Sequence, residues 1–139
     1  MPTDNGLAKT LAAMRCAKDA ARAAIMPELE QAGRDIAVTM RVLAPVDSGD
    51  LRDSIHVTYP GQSTPPYSQP GGSRTAKETE VLITAGNEEV RYPHLVEHGT
   101  SDAEAQPFFW PGWRLHRKKV RDRIARRFRK NLRDAWKRR

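Results

Sequence analysis

The sequence predicts an α+β chain with a long helix at each end and, between them, a small antiparallel β-sheet broken by a long Pro/Gly-rich loop. Three observations carry this. Apolar residues recur every three to four positions from Leu7 to Leu43, and again from Val120 to Trp136. Apolar and polar residues alternate around Ile55–Tyr59 and around Val81–Ile83. The 18 residues from Pro60 to Lys77 hold four prolines and three glycines, so they cannot form a core element.

The first stripe runs Leu7, Leu11, Met14, Ala17, Ala21, Ile25, Leu29, Ala32, Ile36, Met40 and Leu43, one continuous helical face. Thr3, Asp4 or Asn5 can cap its start. Ala44-Pro45 marks its stop, because a residue before proline avoids helical geometry. Pro27 removes a backbone donor inside the pattern, which predicts a kink or short break near Ile25-Met26. The half before Pro27 is Ala-rich and narrow, suited to packing beside another helix of this chain or of a neighbour.

Val46 to Asp50 reads as a turn: Asp47 and Ser48 can bond their own backbone and Gly49 permits positive φ. Leu51 to Tyr59 then leads into a strand with Ile55, Val57 and Tyr59 on one face and Ser54, His56 and Thr58 on the other. His56 reads as a polar-face strand residue. Pro60 to Lys77 is an extended hairpin loop or arm that orders on contact with a partner, or a disordered segment. Thr79 to Ala85 supplies a second, antiparallel strand, and Val90-Arg91-Tyr92 a short third one. Pro93 opens a helix of one or two turns and Gly99 closes it.

Between Tyr92 and Trp113 lie four of the six Phe and Trp residues and three of the ten prolines. Aromatics carry the most burial per residue, so this stretch is the expected packing centre. Gln106-Pro107 begins the last element. Its apolar edge of Val120, Ile124, Phe128, Leu132, Ala135 and Trp136 predicts a helix of about 28 residues, roughly 42 Å long, lying against the first helix or a neighbour.

Composition bounds the function. With 139 residues the expectation is one domain spanning 1–139. An apolar fraction of 38% and a mean hydropathy of −0.71 are low for a self-contained globule, which points to surface that only partners cover. No apolar run is long enough to span a membrane. Met1-Pro2-Thr3-Asp4-Asn5-Gly6 does not read as a secretion signal. Cys16 has no partner for an internal disulfide and reads as a small buried residue of a protein made in the cytoplasm.

The net charge of +7 is unevenly spread. Residues 114–139 hold 14 Lys or Arg and 2 Asp, a net +12, against −5 for the rest. A basic amphipathic helix of this kind seeks phosphate or an acidic protein surface, and Arg121, Arg126, Arg129, Lys130, Arg133, Lys137, Arg138 and Arg139 are the candidate contacts.

Signs of catalysis are few. His94, Glu97 and His98 spell H-x-x-E-H, a zinc-peptidase signature that would need both histidines as ligands, Glu97 as base and a further ligand, for which Glu104 is the one downstream Glu. The competing reading has Glu97 accepting backbone or arginine hydrogen bonds beside the core. Ser48 and Ser54 lack any sign of a base partner and read as turn and strand hydroxyls. No Gly-rich phosphate loop or Cys/His ligand cluster is present, so no catalytic residue, metal or cofactor is assigned.

Three blocks together resemble a phage family: Ala44-Pro45-Val46-Asp47-Ser48-Gly49-x-Leu51-Arg52-x-Ser54-Ile55, then Tyr92-x-His94-Leu95-Val96-Glu97-x-Gly99-Thr100, then Ala105-Gln106-Pro107-Phe108-x-x-Pro111-x-Trp113. In order and spacing they are similar to the head-tail joining, or tail-completion, proteins of long-tailed bacteriophages and gene transfer agents. The resemblance implies helices packed on a small antiparallel sheet. It makes Asp47, Gly49, Leu51, Arg52, Ser54, Tyr92, Glu97, Gly99, Thr100, Pro107, Phe108, Pro111 and Trp113 the structural motif. It also implies a homo-oligomeric ring, of six or twelve copies, in the virion neck between portal or adaptor and tail tube, with genomic double-stranded DNA in the channel and no membrane. Pro65, Pro66, Tyr67 and Pro70 would then belong to an inter-subunit arm. The reading from another class is a small DNA-binding protein working through its basic C-terminal helix.

Overall fold

The stripe at the start of the chain forms one helix, α1 (Asp4–Leu43), 40 residues long. The computed structural model describes residues 4–138, with side chains from Gly6 onward, so the candidate caps Thr3, Asp4 and Asn5 fall outside the described residues or side chains. α1 ends before Ala44-Pro45, where the Ala44 amide still donates to the Met40 carbonyl at 2.9 Å. Of the kink or short break expected near Ile25-Met26, the break does not occur: the helix continues through Pro27. Proline deletes a single intrahelical bond there, and Pro27 is exposed, so water can reach the carbonyl that loses its donor.

After α1 come α2 (Asp50–Asp53), β1 (His56–Thr58), β2 (Leu82–Thr84), α3 (Pro93–His98) and α4 (Phe109–Lys137). The chain divides into two compact units, Glu30–Lys118 and the pair Met1–Leu29 with Lys119–Arg139.

The unit Glu30–Lys118 contains the sheet. β1 and β2 pair antiparallel with His56 opposite Thr84, Val57 opposite Ile83 and Thr58 opposite Leu82. α1 lies on this sheet at Gly33, where an added Cβ would come within 2.8 Å of Val81 Cγ1 and 3.3 Å of Val57 Cγ1. Ala32, Ile36, Ala37 and Met40 fill the contact from the helix side, and Ile55, Ala85, Val90 and Phe108 complete the core. α4 begins in this unit and meets α1 at Gly112, whose absent side chain admits Met40; a Cβ there would lie 2.6 Å from Met40 Cγ.

Both strands are shorter than their sequence patterns. Leu51 turns into α2 instead of opening β1, because Gly49 adopts φ 90° and Asp53 N bonds Gly49 O at 2.9 Å. The expected third strand at Val90-Arg91-Tyr92 is absent. Asn87 closes that segment on itself, its amide donating to Val90 O and its Oδ1 accepting from Glu89 N and Val90 N, each at 2.9 Å. A local side-chain turn has displaced a ladder. The expected outward polar face is also only partial: His56 is exposed, whereas Thr58 and Thr84 are buried without a partner for their hydroxyls among the described residues.

Residues 60–77 fold back on themselves as a hairpin. Ser63 bridges Thr75, Ala76 N donates to Gln62 O and Thr64 N donates to Arg74 O, each at 2.8 Å. Further along, Gln69 and Ala85 exchange bonds of 2.8 and 2.9 Å, which ties the loop to the end of β2. Thr64, Ser68 and Ala76 are buried under it.

In the other unit the start of α1 runs beside the end of α4. Ala17 and Ala21 are the buried positions among the described residues here, as the narrow Ala-rich face predicts, whereas Cys16, expected to be buried, is exposed because it lies off that face. Arg123 Nε stands 3.1 Å from Glu28 Oε2, an ion pair by distance without hydrogen-bond alignment. A half-exposed pair of this kind contributes less than about 1 kcal/mol. Val120, Ile124, Phe128 and Leu132 on α4 are only partly covered.

Candidate functional site

The junction of α3 and α4 is built around one carboxylate. Pro93 starts α3 with φ already set, and Gly99 ends it at φ 77°. Only glycine fits that end, because a Cβ would lie 2.7 Å from Ala105 N and 3.1 Å from Ala103 O. The chain then loops back: Thr100 Oγ1 accepts from Asp102 N and Ala103 N, and Gln106 N donates to Val96 O at 2.8 Å. This return places Glu97 under the first turn of α4. Its Oε2 accepts from Phe108 N at 2.8 Å and Phe109 N at 3.0 Å, and its Oε1 from Trp110 N at 3.1 Å.

Three amides at a helix start, which have no intrahelical acceptor, thus share one buried negative charge, and the helix dipole adds to the attraction. This is the backbone-acceptor role expected of Glu97. A carboxylate with both oxygens engaged by backbone amides acts as a helix cap. His94 and His98 are exposed on α3 and Glu104 is exposed on the following loop. Among the described residues no group of three or more His, Cys, Asp or Glu is placed to hold a metal ion.

The first two sequence blocks also meet. Asp47, Ser48, Gly49 and Leu51 line a cavity of about 250 Å³ with Tyr92, Val96 and Gln106. Asp47 is exposed at this cavity and Leu51 is buried. Ser48 Oγ donates to Asp50 Oδ2 at 2.8 Å, as a turn hydroxyl. Ser54, expected on a strand, instead donates to Leu51 O at 2.6 Å and accepts from Gly86 N at 3.0 Å, which pins α2 to the end of β2. Arg52 lies 3.3 Å from Asp53.

The aromatic stretch is a packing centre in part. Phe108 and Phe109 are buried and meet edge to face at 6.4 Å. Tyr92, Trp110 and Trp113 remain 38 to 40% exposed, Pro107 is exposed and Pro111 is half-buried. A smaller cavity of about 130 Å³ joins Gln69 and Pro70 of the loop to Pro93, Glu97 and Phe108–Trp110. Beyond it Pro66 and Tyr67 are exposed and Pro65 is half-buried. Tyr67 has φ 61°, and the Arg91 guanidinium sits 3.8 Å from its ring centroid. No sequence signal pairs those two residues, nor Thr39 with His116, which are 2.6 Å apart.

On α4, Arg121, Arg126, Arg129, Lys130, Arg133, Lys137 and Arg138 are exposed, and Arg139 lies outside the described residues. Steps of three and four put Arg126, Arg129, Lys130, Arg133 and Lys137 on one face, and the first four flank a concavity of about 570 Å³ with Leu132. None of these five forms an ion pair among the described residues.

The fold and the site define a small α+β subunit whose named residues join segments and present charge, with a cap where a catalytic base was conceivable. A family model described as "Bacteriophage HK97-gp10, putative tail-component" matches residues 8–99, and the chain belongs to that HK97-gp10-like family of phage structural proteins. No curated protein and no solved structure matches it. The matched span takes in α1 from Ala8 onward and the first two sequence blocks up to Gly99. The third block and the basic α4 lie beyond it.

Proposed function

We propose that this phage structural protein works in the virion neck, where copies form a ring that joins the capsid connector to the tail and lets genomic DNA pass or be retained. In this reading the whole chain, 1–139, acts as one neck domain without enzymatic activity. The motif residues from Asp47 to Trp113 set the subunit's shape, and the loop tip of Pro65, Pro66, Tyr67 and Pro70 reaches a neighbour. The observation that carries the DNA part is the row of unpaired cations on α4. Closely spaced cations along one helix face suit a run of phosphates and supply no base readout. The low apolar fraction and the exposed Leu7, Leu11, Val42 and Val46 support subunits that cover one another.

Electron microscopy of the purified chain is expected to show closed rings, and antibodies to it should label the neck of the phage particle. A chain that stays monomeric at all concentrations and is absent from particles would refute the reading. The same basic face favours a second reading, a free DNA-binding protein. In that case the monomer alone would bind DNA and loss of the protein would leave head-to-tail joining intact.

A further inference from the structure

Where the start of α1 runs beside the end of α4, a groove of about 710 Å³ opens on the surface. Its floor is apolar, with Leu11 and Met14 from α1 and Phe128 and Leu132 from α4. Leu11 and Met14 are 44% and 53% exposed, so much of that floor meets water. The rim is cationic, with Arg15, Lys18, Arg133 and Lys137 and no acidic side chain in the lining. An occupant therefore needs an apolar strip with carboxylates beside it.

Groove-to-groove pairing of two copies would bring eight rim cations together, within units that each carry a net +10 over residues 1–29 and 119–139. Charge opposes that arrangement. The other unit, residues 30–118, carries a net −3. It also exposes an apolar strip at the end of α1 and just after it: Val38, Val42, Leu43 and Val46 are 55, 78, 40 and 62% exposed. Asp47, Asp50 and Asp53, all exposed, follow directly in sequence. One chain thus carries both a basic trough with an apolar floor and an apolar strip with acids next to it.

We propose that the groove floored by Leu11, Met14, Phe128 and Leu132 receives the Val38–Val46 strip of a second copy, with Asp47 and Asp50 of that copy meeting the cationic rim. The contact is heterologous: each copy offers its groove to one neighbour and its strip to another, which is what a ring or an open stack requires. The inference rests on the homo-oligomer reading above and adds which surfaces meet. It also divides α4, with Arg133 and Lys137 turned to the neighbour and Arg126, Arg129 and Lys130 left for phosphate.

Full-length chains with Cys16→Ser provide the test. Leu132→Cys is made in one preparation and Val42→Cys in a second, differently tagged one. Co-expression followed by mild oxidation is expected to give a disulfide-linked dimer containing one of each, and neither variant alone should form a dimer. A dimer from Leu132→Cys alone would mean groove faces groove and would overturn the proposal. Failure to form the mixed dimer in a preparation that still assembles would overturn the interface and leave the ring standing, whereas a chain that never assembles would overturn both. In parallel, Lys18→Glu with Arg133→Glu should weaken self-association at least about tenfold, and adding Asp47→Lys with Asp50→Lys should restore it. Unchanged association, or weakening without rescue, would mean that something other than this strip fills the groove.

Discussion

Glu97 shows how one side chain can hold two segments at a fixed distance. Its carboxylate receives the Phe108 and Phe109 amides, both buried, and the Trp110 amide, which is partly exposed. Removing it leaves two buried donors without acceptors, and each such donor costs about 1 to 3 kcal/mol. Glu97→Ala should therefore destabilise the chain by about 3 kcal/mol in urea unfolding, with Glu97→Gln losing somewhat less because one oxygen remains. His94→Ala and His98→Ala, at exposed positions on the same short helix, should stay within about 0.5 kcal/mol of the parent. A loss for Glu97→Ala no larger than that of the histidine variants would show that the cap does not hold the junction. The acceptor role was legible in the sequence, since an acid beside a proline-braced aromatic run needs donors. Which donors it finds was not, because the loop that returns the chain through Thr100 and Gln106 has no periodic signature.

At the scale of elements, long patterns were readable and short ones were not. The stripes of α1 and α4 repeat over many turns, so α1 follows from Leu7–Leu43 to within one turn and the end of α4 from Trp136, whereas α4 starts at Phe109, well before its stripe begins at Val120. Each strand is three residues long, too few for alternation to outweigh local hydrogen bonds. Gly49 and Ser54 draw Leu51 into α2, and Asn87 takes the backbone groups a third strand would have needed. Pro27 interrupts the hydrogen-bond ladder without ending the helix, because the remaining helical bonds carry α1 through a residue that lacks a donor. A continuous helix with an exposed proline predicts a gain on replacement. Pro27→Ala restores the bond to the Ala23 carbonyl and removes the ring's clash with the preceding turn, at little packing cost. The expected effect is a stabilisation of about 1 to 3 kcal/mol, read as a higher urea midpoint at unchanged slope. No gain, or a loss, would mean that a bend at Pro27 serves the packing of α1.

Across the whole molecule the deciding quantity is where the charge lies. The +12 of residues 114–139 was visible in the sequence, but its division into a phosphate-facing row and a groove rim required the helix to be placed beside α1. If the row faces DNA, affinity should fall with salt in proportion to the phosphates it neutralises, with a slope near −0.9 per phosphate on logarithmic axes. Replacing Arg126, Arg129 and Lys130 together by Ala should then make the slope shallower by about 2 to 3 and weaken binding equally for unrelated duplex sequences. Replacing Lys9 and Arg22, exposed cations on α1, should leave the slope nearly unchanged. These three α4 positions are exposed and unpaired, so the fold should tolerate the change and self-association through Lys18 and Arg133 should persist. Filter binding or fluorescence anisotropy over about 50 to 200 mM salt separates the cases. An unchanged slope would remove phosphate as the target of this face and leave an acidic protein surface as what the basic helix meets.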